Sequence, residues 1–281
     1  MFQDKKIAFI GPGVMAEAMI AGLIRQKMAS PAALIAAGPR PERLAELHSL
    51  YGANTTADNA EAARQSDVVV LSVKPQRLER VLFGLKGSLK PEALVISIVA
   101  GAPIHKISTG LGHDIIVRSM PNTPAQIGEG ITVWTAASVV NEDQRQVARQ
   151  VLTAFGEEEF VEEESYLDMA TALSGTGPAY VFLFMEAMVD AGVHLGFPRR
   201  LAEKLVAQTV RGSVDFYSQR SGPHLAHLRN QVTSPGGTSA AALYYLEKAG
   251  FRTAISRAIW AAYERSQELG KEAKGKAPGE N

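Results

Sequence analysis

Residues 231–241, QVTSPGGTSAA, combine a bare glycine turn with hydroxyl side chains, a combination suited to binding a small anion. The proline and two glycines at 235–237 predict a turn whose backbone no Cβ shields. Thr238 and Ser239 follow at the start of a helical pattern, and free amides at a helix N-terminus form an anion site. The hydroxyls either cap this helix, a role that Ser and Thr favour, or one of them faces a reacting centre. The expected anion is a substrate carboxylate.

A second turn of the same design lies at residues 174–180, SGTGPAY. Ser174 and Thr176 supply hydroxyls, and Pro178 suits the first turn of the apolar helix that follows. We expect Ser174 and Thr176 to take part in binding the substrate.

The first strand pattern ends in GPGVMA, residues 11–16, and a helical pattern begins there. In such a G-x-G-x-x-A turn the first glycine permits the tight turn, the second lets a pyrophosphate approach the backbone, and the alanine allows close helix packing. The helix N-terminus presents its amides to the phosphates. The pattern predicts dinucleotide binding, and the alternative is a glycine turn for another ligand. The residues predicted to bind the cofactor here are Gly11, Pro12, Gly13, Val14 and Met15.

The end of the second strand pattern bears on the choice of cofactor. NAD-preferring sites usually carry an acid there, which bonds the ribose 2′-hydroxyl. Residues 36–40 read AAGPR, so no carboxylate repels a 2′-phosphate, and Arg40 could pair with one. NADPH is therefore the preferred cofactor and NADH the alternative. Arg40 could instead be a solvated residue at a helix start.

Two further loops follow strand patterns at the sheet edge where ligands of parallel sheets bind. VKPQ at 73–76 follows the run 67–72, and MPNTPA at 120–125 follows the run 115–118. Their prolines fix the loop shape, and the amide of the asparagine offers both a donor and an acceptor. The lysine either contacts the cofactor or is a nearby cation without a part in chemistry. The residues predicted to line the cofactor, nicotinamide end included, are Val73, Lys74, Pro75, Met120, Pro121, Asn122 and Thr123.

These loops need a sheet and a helical body to position them. Up to about residue 160, short apolar runs alternate with helical patterns, which predicts a mostly parallel, doubly wound α/β sheet covered on both faces. The runs lie at 6–10, 33–37, 67–72, 93–98 and 115–118, with a short strand at 158–161. After the acidic run at 157–165 the patterns are helical only. We predict a Rossmann domain at 1–162, an all-α domain at 163–270 and a disordered tail at 271–281.

Composition narrows the classes of function. The 281 residues suit two domains, and 29 basic against 29 acidic residues argue against nucleic-acid or polybasic membrane binding. The chain has no cysteine, which excludes thiol catalysis and thiolate metal sites. The apolar segment 178–195 is too short and too charged for a membrane span, so we expect a buried helix. No signal-peptide pattern is visible, and the expected location is cytoplasmic.

Five motifs together resemble one known family. FIGPGVMAEAM, SVKPQ, RSMPNTPA, SGTGPAYVF and VTSPGGTSAAAL stand in the order and at the separations typical of pyrroline-5-carboxylate reductases. The resemblance runs from about residue 5 to 270, and the last three motifs are specific to the family. Thr176 stands where the family usually has Ser, and Ser239 where Thr is more frequent, so both hydroxyls are kept.

The resemblance implies an NAD(P)H-dependent reduction of the C=N bond of (S)-1-pyrroline-5-carboxylate to L-proline, the last step of proline synthesis. It implies a Rossmann domain with a helical dimerisation domain, and a homodimer that can assemble into larger rings. In the family the amides at Gly237, Thr238 and Ser239 hold the substrate carboxylate, and the hydroxyl at Ser239 bonds the imine nitrogen. Because hydride transfer leaves electron density on nitrogen, a proton donor or a protonated imine is needed.

Three alternative functions fit the sequence less well. A β-hydroxyacid dehydrogenase shares the two-domain plan but needs a lysine base on the long helix, which here reads GPAYVFLFMEAM. A non-catalytic cofactor sensor would not need the hydroxyls and the glycine turn. His224 and His227 lie three apart on a helical pattern, yet no third metal ligand is evident, so no metal site is expected.

Overall fold

The computed structural model describes residues 5–219 and 224–272, and it divides the chain into two compact units. The first, here the sheet unit, comprises Met1–Thr176 with Ala262–Asn281, and the second, the helical unit, comprises Gly177–Ala261. The predicted domain border at residue 162 lies fourteen residues before this division, and it stays a prediction. Of the tail predicted at 271–281, residues 273–281 lie outside the described residues.

Eight strands among the described residues form one sheet in the sheet unit. They are β1 (Ile7–Ile10), β2 (Leu34–Ala37), β3 (Asn54–Thr56), β4 (Val68–Leu71), β5 (Leu94–Ser97), β6 (Ile116–Met120), β7 (Gly130–Ala136) and β8 (Gly156–Phe160). Their order is β3-β2-β1-β4-β5-β6-β7-β8, and every neighbouring pair is parallel except β6 with β7. The predicted mostly parallel sheet is therefore confirmed.

Helices follow the strands in the sheet unit and make up the helical unit. Those of the sheet unit are α1 (Val14–Arg25), α2 (Pro41–Tyr51), α3 (Asn59–Gln65), α4 (Leu78–Leu85), α5 (Ile104–Leu111), α6 (Glu142–Thr153) and α7 (Tyr166–Ala170). Those of the helical unit are α8 (Gly177–His194), α9 (Arg199–Ser218), α10 (Leu225–Gln231) and α11 (Thr238–Lys248). The last helix, α12 (Phe251–Glu272), begins in the helical unit and ends in the sheet unit.

The apolar strands bury side chains on both faces of the sheet, as the continuous runs predict. In β1, Ile7 and Phe9 belong to one apolar cluster, whereas Ala8 and Ile10 belong to the other. Successive strand residues point to opposite faces, so each strand contributes to both clusters. This two-sided core fixes the ends of β1, β2 and β4, from which the cofactor loops emerge.

A buried arginine links β6 to the helices beside it. Arg118 is 5% exposed, and its guanidinium contacts Glu164 at 3.0 Å and Asp168 at 3.2 Å. The Glu164 carboxylate also accepts from the backbone N–H of Ile104 at 2.8 Å. Asp168 accepts from the hydroxyl of Ser266, on the final helix, at 2.8 Å. These bonds compensate the buried charge.

The helical unit leaves its longest apolar helix largely uncovered. Phe182 and Leu183 on α8 are 64% and 66% exposed, whereas Val189 is buried against Ala202 and Val206 of α9. The expectation of a buried helix is thus not met within one chain. By length and composition one helical stretch, Tyr166–His194, is apolar enough to cross a membrane, although a core helix passes the same test.

Candidate active site

The glycine turn after β1 is held open by its backbone geometry. Gly11 has φ +90°, a left-handed conformation, and a Cβ there would lie 2.5 Å from Cγ1 of Val73. Gly13 is the N-cap of α1, and the nearest atom to a Cβ there would be 3.9 Å away. Gly11 therefore must be glycine for packing, whereas Gly13 leaves room for a ligand to approach. The tight turn expected at Gly11 is present, whereas the approach of a pyrophosphate to Gly13 stays a prediction.

Three strand ends meet around this turn. The N–H of Gly11 donates to the carbonyl of Ala37 at the end of β2, at 2.9 Å. The hydroxyl of Ser72, after β4, contacts the carbonyls of Ile10 and Gly11 at 3.1 and 2.9 Å. A Cβ on Gly38 would lie 2.7 Å from Cδ of Pro12. The turn is thereby fixed against both neighbouring strands.

A charged cluster that the sequence reasoning missed supports the same turn. Arg43 on α2 donates through Nε to the carbonyl of Pro12 at 3.0 Å and pairs with Glu17 of α1. Tyr51 donates its hydroxyl to the other Glu17 oxygen at 2.9 Å. Partial burial raises the pKa of Glu17, but the bonds from Arg43 and Tyr51 outweigh it and bring the pKa below its ordinary value. Glu17 is thus ionised at neutral pH.

An open cleft of about 610 Å³ lies beside the turn, at the ends of β1, β2 and β4. Its walls include Gly38 and Pro39 after β2, Asn59 at the start of α3, and Val73. The side-chain Oδ1 of Asn59 is buried and has no hydrogen-bond partner among the described residues. Such an acceptor needs a donor, and the ribose hydroxyls and amino group of an adenosine supply donors. The residues present therefore fit the adenosine end of a dinucleotide.

The other predicted cofactor residues lie at the same sheet edge. Arg40 is the exposed residue before α2 and makes no ion pair within the described chain. Lys74 is exposed and precedes a 3₁₀ turn that begins at Pro75. Val14 is 59% exposed at the first position of α1, and Met15 is half-buried.

The loop after β6 meets the second glycine turn. A Cβ on Gly175 would lie 2.7 Å from Cε of Met120, so the two predicted loops pack closely. Asn122 is 9% exposed, and its Oδ1 accepts from the N–H of Ile131 at 3.0 Å. That oxygen thus bonds the start of β7, whereas its second lone pair and the Nδ2 donors stay available, and the predicted contact of Asn122 with the cofactor stays a prediction. Pro121 is buried, and Thr123 begins a 3₁₀ turn.

The hydroxyls of the second turn are bonded back to the chain. A π-helical turn covers Thr171–Gly175. Ser174 donates to the carbonyl of Ala170 at 2.9 Å, and Thr176 donates to that of Thr171 at 2.8 Å. Their oxygen lone pairs stay able to accept, so these groups suit a donor on a ligand. π-Helical turns of this kind occur frequently at functional sites.

The substrate turn of the helical unit has a free helix N-terminus. Gly236 has φ +68°, and Gly237 is the N-cap of α11, with no side chain capping the helix. The hydroxyls of Thr238 and Ser239 thus do not cap α11. The N–H of Gly237 donates to the carbonyl of Ser234 at 3.0 Å, so the expectation that this amide holds a carboxylate is not met. The amides of Thr238 and Ser239 have no acceptor within the described chain.

Comparisons with known proteins show the family of this chain. The model for "Pyrroline-5-carboxylate reductase dimerisation" matches residues 164–269, and that for "NADP oxidoreductase coenzyme F420-dependent" matches 6–101. The chain is 45% identical to pyrroline-5-carboxylate reductase of Synechocystis, covering 95% of this chain and 98% of that protein. The Escherichia coli reductase is 38% identical, with 95% and 99% covered. The chain belongs to the pyrroline-5-carboxylate reductase family.

A solved pyrroline carboxylate reductase from Plasmodium falciparum, with NADP bound, gives the same result for the fold. It is 34% identical with a TM-score of 0.87, and 95% of this chain and 99% of that chain are covered. The predicted family and its reaction are confirmed, and the chain is an NAD(P)H-dependent oxidoreductase with an NADP-binding domain. The reductase assignment therefore replaces the hypotheses of a β-hydroxyacid dehydrogenase and of a non-catalytic cofactor sensor.

The reductase family also accounts for the uncovered helix. The exposed side chains of α8 lie within the matched dimerisation region, which implies a homodimer. No group of three metal-binding side chains occurs in the part of the chain that the structure describes. His224 instead caps α10, since its Nδ1 accepts from the N–H of Ala226 at 3.2 Å.

Proposed function

We propose that this reductase uses NADPH in preference to NADH and that Ser239 serves the imine nitrogen of pyrroline-5-carboxylate. The observation that carries the second part is the free N-terminus of α11. There the amides of Thr238 and Ser239 lack acceptors among the described residues, and the hydroxyl of Ser239 is not engaged in capping.

The preference for NADPH is supported by the end of β2. No carboxylate follows this strand, and the exposed Arg40 lies two residues after Gly38 of the cleft. An acid at this place would favour a ribose hydroxyl and repel a phosphate. The Plasmodium relative with NADP bound supports the same choice.

The chemistry assigned to the chain is binding, orientation and proton supply. NADPH, when bound, supplies the hydride that adds to the C=N carbon. The amides of Thr238 and Ser239 hold the substrate carboxylate at the positive end of α11. The Ser239 hydroxyl bonds the nitrogen, on which electron density develops. The nitrogen takes up one proton, either from this hydroxyl, which solvent then reprotonates, or from solvent before hydride transfer, and becomes the secondary amine. Ser174 and Thr176 offer acceptor lone pairs to the substrate side of the site.

The cellular location and the binding partners of the enzyme are also part of the proposed function. We place it in the cytoplasm as a homodimer that can assemble further, without nucleic-acid or membrane partners. The balanced formal charge of the chain supports the absence of a polyanionic partner. Cell fractionation and the native mass of the purified enzyme test these points.

Substitution of Ser239 tests the proposed role. For Ser239→Ala we expect kcat/KM to fall on the order of 100-fold, as for other positioned proton donors, with NADPH binding unchanged. Ser239→Thr keeps the hydroxyl and should keep most activity. The measurement is kcat/KM against pH for the three enzymes. If the imine arrives already protonated from solvent, the loss will shrink at low pH.

Thermal unfolding in parallel provides the control. A capping role would lower stability by ~1 kcal/mol while turnover per folded enzyme stayed intact. A Ser239→Ala enzyme with full activity and a lowered Tm would reject the catalytic role.

A further inference from the structure

Two arginines that have no bonding partner among the described residues line the same cleft as the end of β2. Arg77 ends the 3₁₀ turn that precedes α4, and Arg80 lies three residues further on, within that helix. Both residues are exposed, and neither guanidinium is bonded to another group in the described chain. The sequence reasoning did not single out either residue. Their spacing of three places them on one face of the helix.

Among the described residues that line the cleft, the one carboxylate, Asp58, already has partners that compensate its charge. Asp58 accepts from the N–H groups of Ala60 and Glu61 at 2.8 and 3.1 Å, which caps α3. It also lies 3.9 Å from the guanidinium of Arg64. The charges of Arg77 and Arg80 have no such balance. The cleft therefore favours an anionic group, which an unmodified adenosine does not carry.

We propose that Arg77 and Arg80 bind the 2′-phosphate of NADPH and are the main determinants of cofactor preference in this reductase. The ribose 2′-position of a dinucleotide lies at the end of β2, where Gly38 and Pro39 line the same cleft as the two arginines. Guanidinium groups match phosphate oxygens in bidentate geometry. Arg40, an exposed cation two residues after Gly38, is not among the residues that line the cleft. The inference rests on the proposed preference for NADPH.

The test measures binding of two cofactor fragments to the full-length enzyme by calorimetry. The fragments are 2′,5′-ADP and 5′-ADP, which differ by the phosphate and lack the nicotinamide, so catalysis does not enter. The variants are Arg77→Gln, Arg80→Gln, the double variant and Arg40→Ala. Lys86→Gln is the matched control, because it removes an exposed charge just beyond the other end of α4. Thermal melts verify that each variant is folded.

We expect the double variant to bind 2′,5′-ADP roughly 10- to 100-fold more weakly, since charge-assisted hydrogen bonds are lost. Binding of 5′-ADP should change by less than about twofold, as should both affinities of the Lys86 control. The inference is wrong if the double variant keeps the wild-type discrimination, or if it loses both fragments equally. If Arg40→Ala alone abolishes the preference for 2′,5′-ADP over 5′-ADP, Arg40 and not the Arg77–Arg80 pair binds the 2′-phosphate. If the wild type itself does not discriminate, the proposed NADPH preference fails instead.

Discussion

Single side chains fix the cofactor turn from outside the motif. Arg43 and Tyr51, both on α2, meet at Glu17, and Arg43 also bonds the carbonyl of Pro12 inside the turn. The glycine motif itself contains no side chain that could make such a bond. The shape of the turn therefore depends on α2 as well as on the glycines.

The ionisation of Glu17 makes this support sensitive to acid. Its pKa is lower in the folded state, so its contribution is complete above the ordinary value of 4.5 and is lost as pH falls through the folded-state pKa. We expect Glu17→Gln to lower the free energy of unfolding by about 1 kcal/mol at pH 7. The difference from wild type should vanish below the folded-state pKa. Denaturant unfolding across pH measures it.

Glu46 provides the matched control, because it pairs with the same Arg43 at 2.7 Å but its side chain is 52% exposed. Glu46→Gln should cost little, as exposed pairs contribute weakly. Equal losses for the two variants at every pH would show that Glu17 has no special role.

For single residues, the sequence predicted backbone conformation better than it predicted hydrogen-bond partners. Motif residues such as Gly11 were placed correctly because their backbone conformation follows from local chemistry. The N–H of Gly237 was assigned to a ligand, yet it donates to the carbonyl of Ser234, and the bond from the N–H of Ile131 to Oδ1 of Asn122 was not predicted. The bond from Ile131 depends on how the chain folds back nine residues later, which a motif does not encode.

At the scale of elements, α1 packs directly against the backbone of the turn between α6 and β8. A Cβ on Gly22, three residues before the end of α1, would overlap the carbonyl oxygen of Ala154. The helix whose N-terminus is predicted to face the cofactor is thereby also held near its C-terminal end, by close packing on this turn. The glycine is retained although glycine weakens a helix interior.

Alanine substitutions at two helical glycines test this fit. Gly22→Ala should destabilise by roughly 1–3 kcal/mol, because the methyl group overpacks the contact. Gly84→Ala on α4 meets no atom within 4 Å and should stabilise by about 0.5–1 kcal/mol. Chemical denaturation of the two variants without cofactor gives both values. A neutral Gly22→Ala would mean that the turn relaxes freely.

Most strands could be predicted, since a buried parallel strand is a continuous apolar run. The sequence did not predict β3, a three-residue edge strand of Asn and Thr, nor α3, which has only seven residues. It also missed β7, GITVWTA, the strand that turns antiparallel after the asparagine loop. Such short or mixed segments depend on their neighbours more than on their own pattern.

At the scale of the whole molecule, the homodimer must cover what one chain leaves open. Replacing Phe182 and Leu183 by Glu should give monomers at roughly micromolar concentration and a lower Tm, since the apolar surface would no longer associate. Phe83 on α4 is 82% exposed but lies outside the matched dimerisation region, so Phe83→Glu is the control and should stay dimeric. Light scattering distinguishes them. A stable, active wild-type monomer would contradict the assignment.

The path of α12 makes the sheet unit discontinuous in sequence, whereas the helical unit is one continuous segment. Because its last residues belong to the sheet unit, the helical unit is an insertion within that unit and not an appendage behind it. Ser266 returns to bond Asp168, and Leu269 packs where a Cβ on Gly101 would lie 2.9 Å away. A fragment that stops at residue 176 would leave these contacts unmade. An isolated cofactor-binding half would have to be built by joining residue 176 to the closing segment of α12 through a linker.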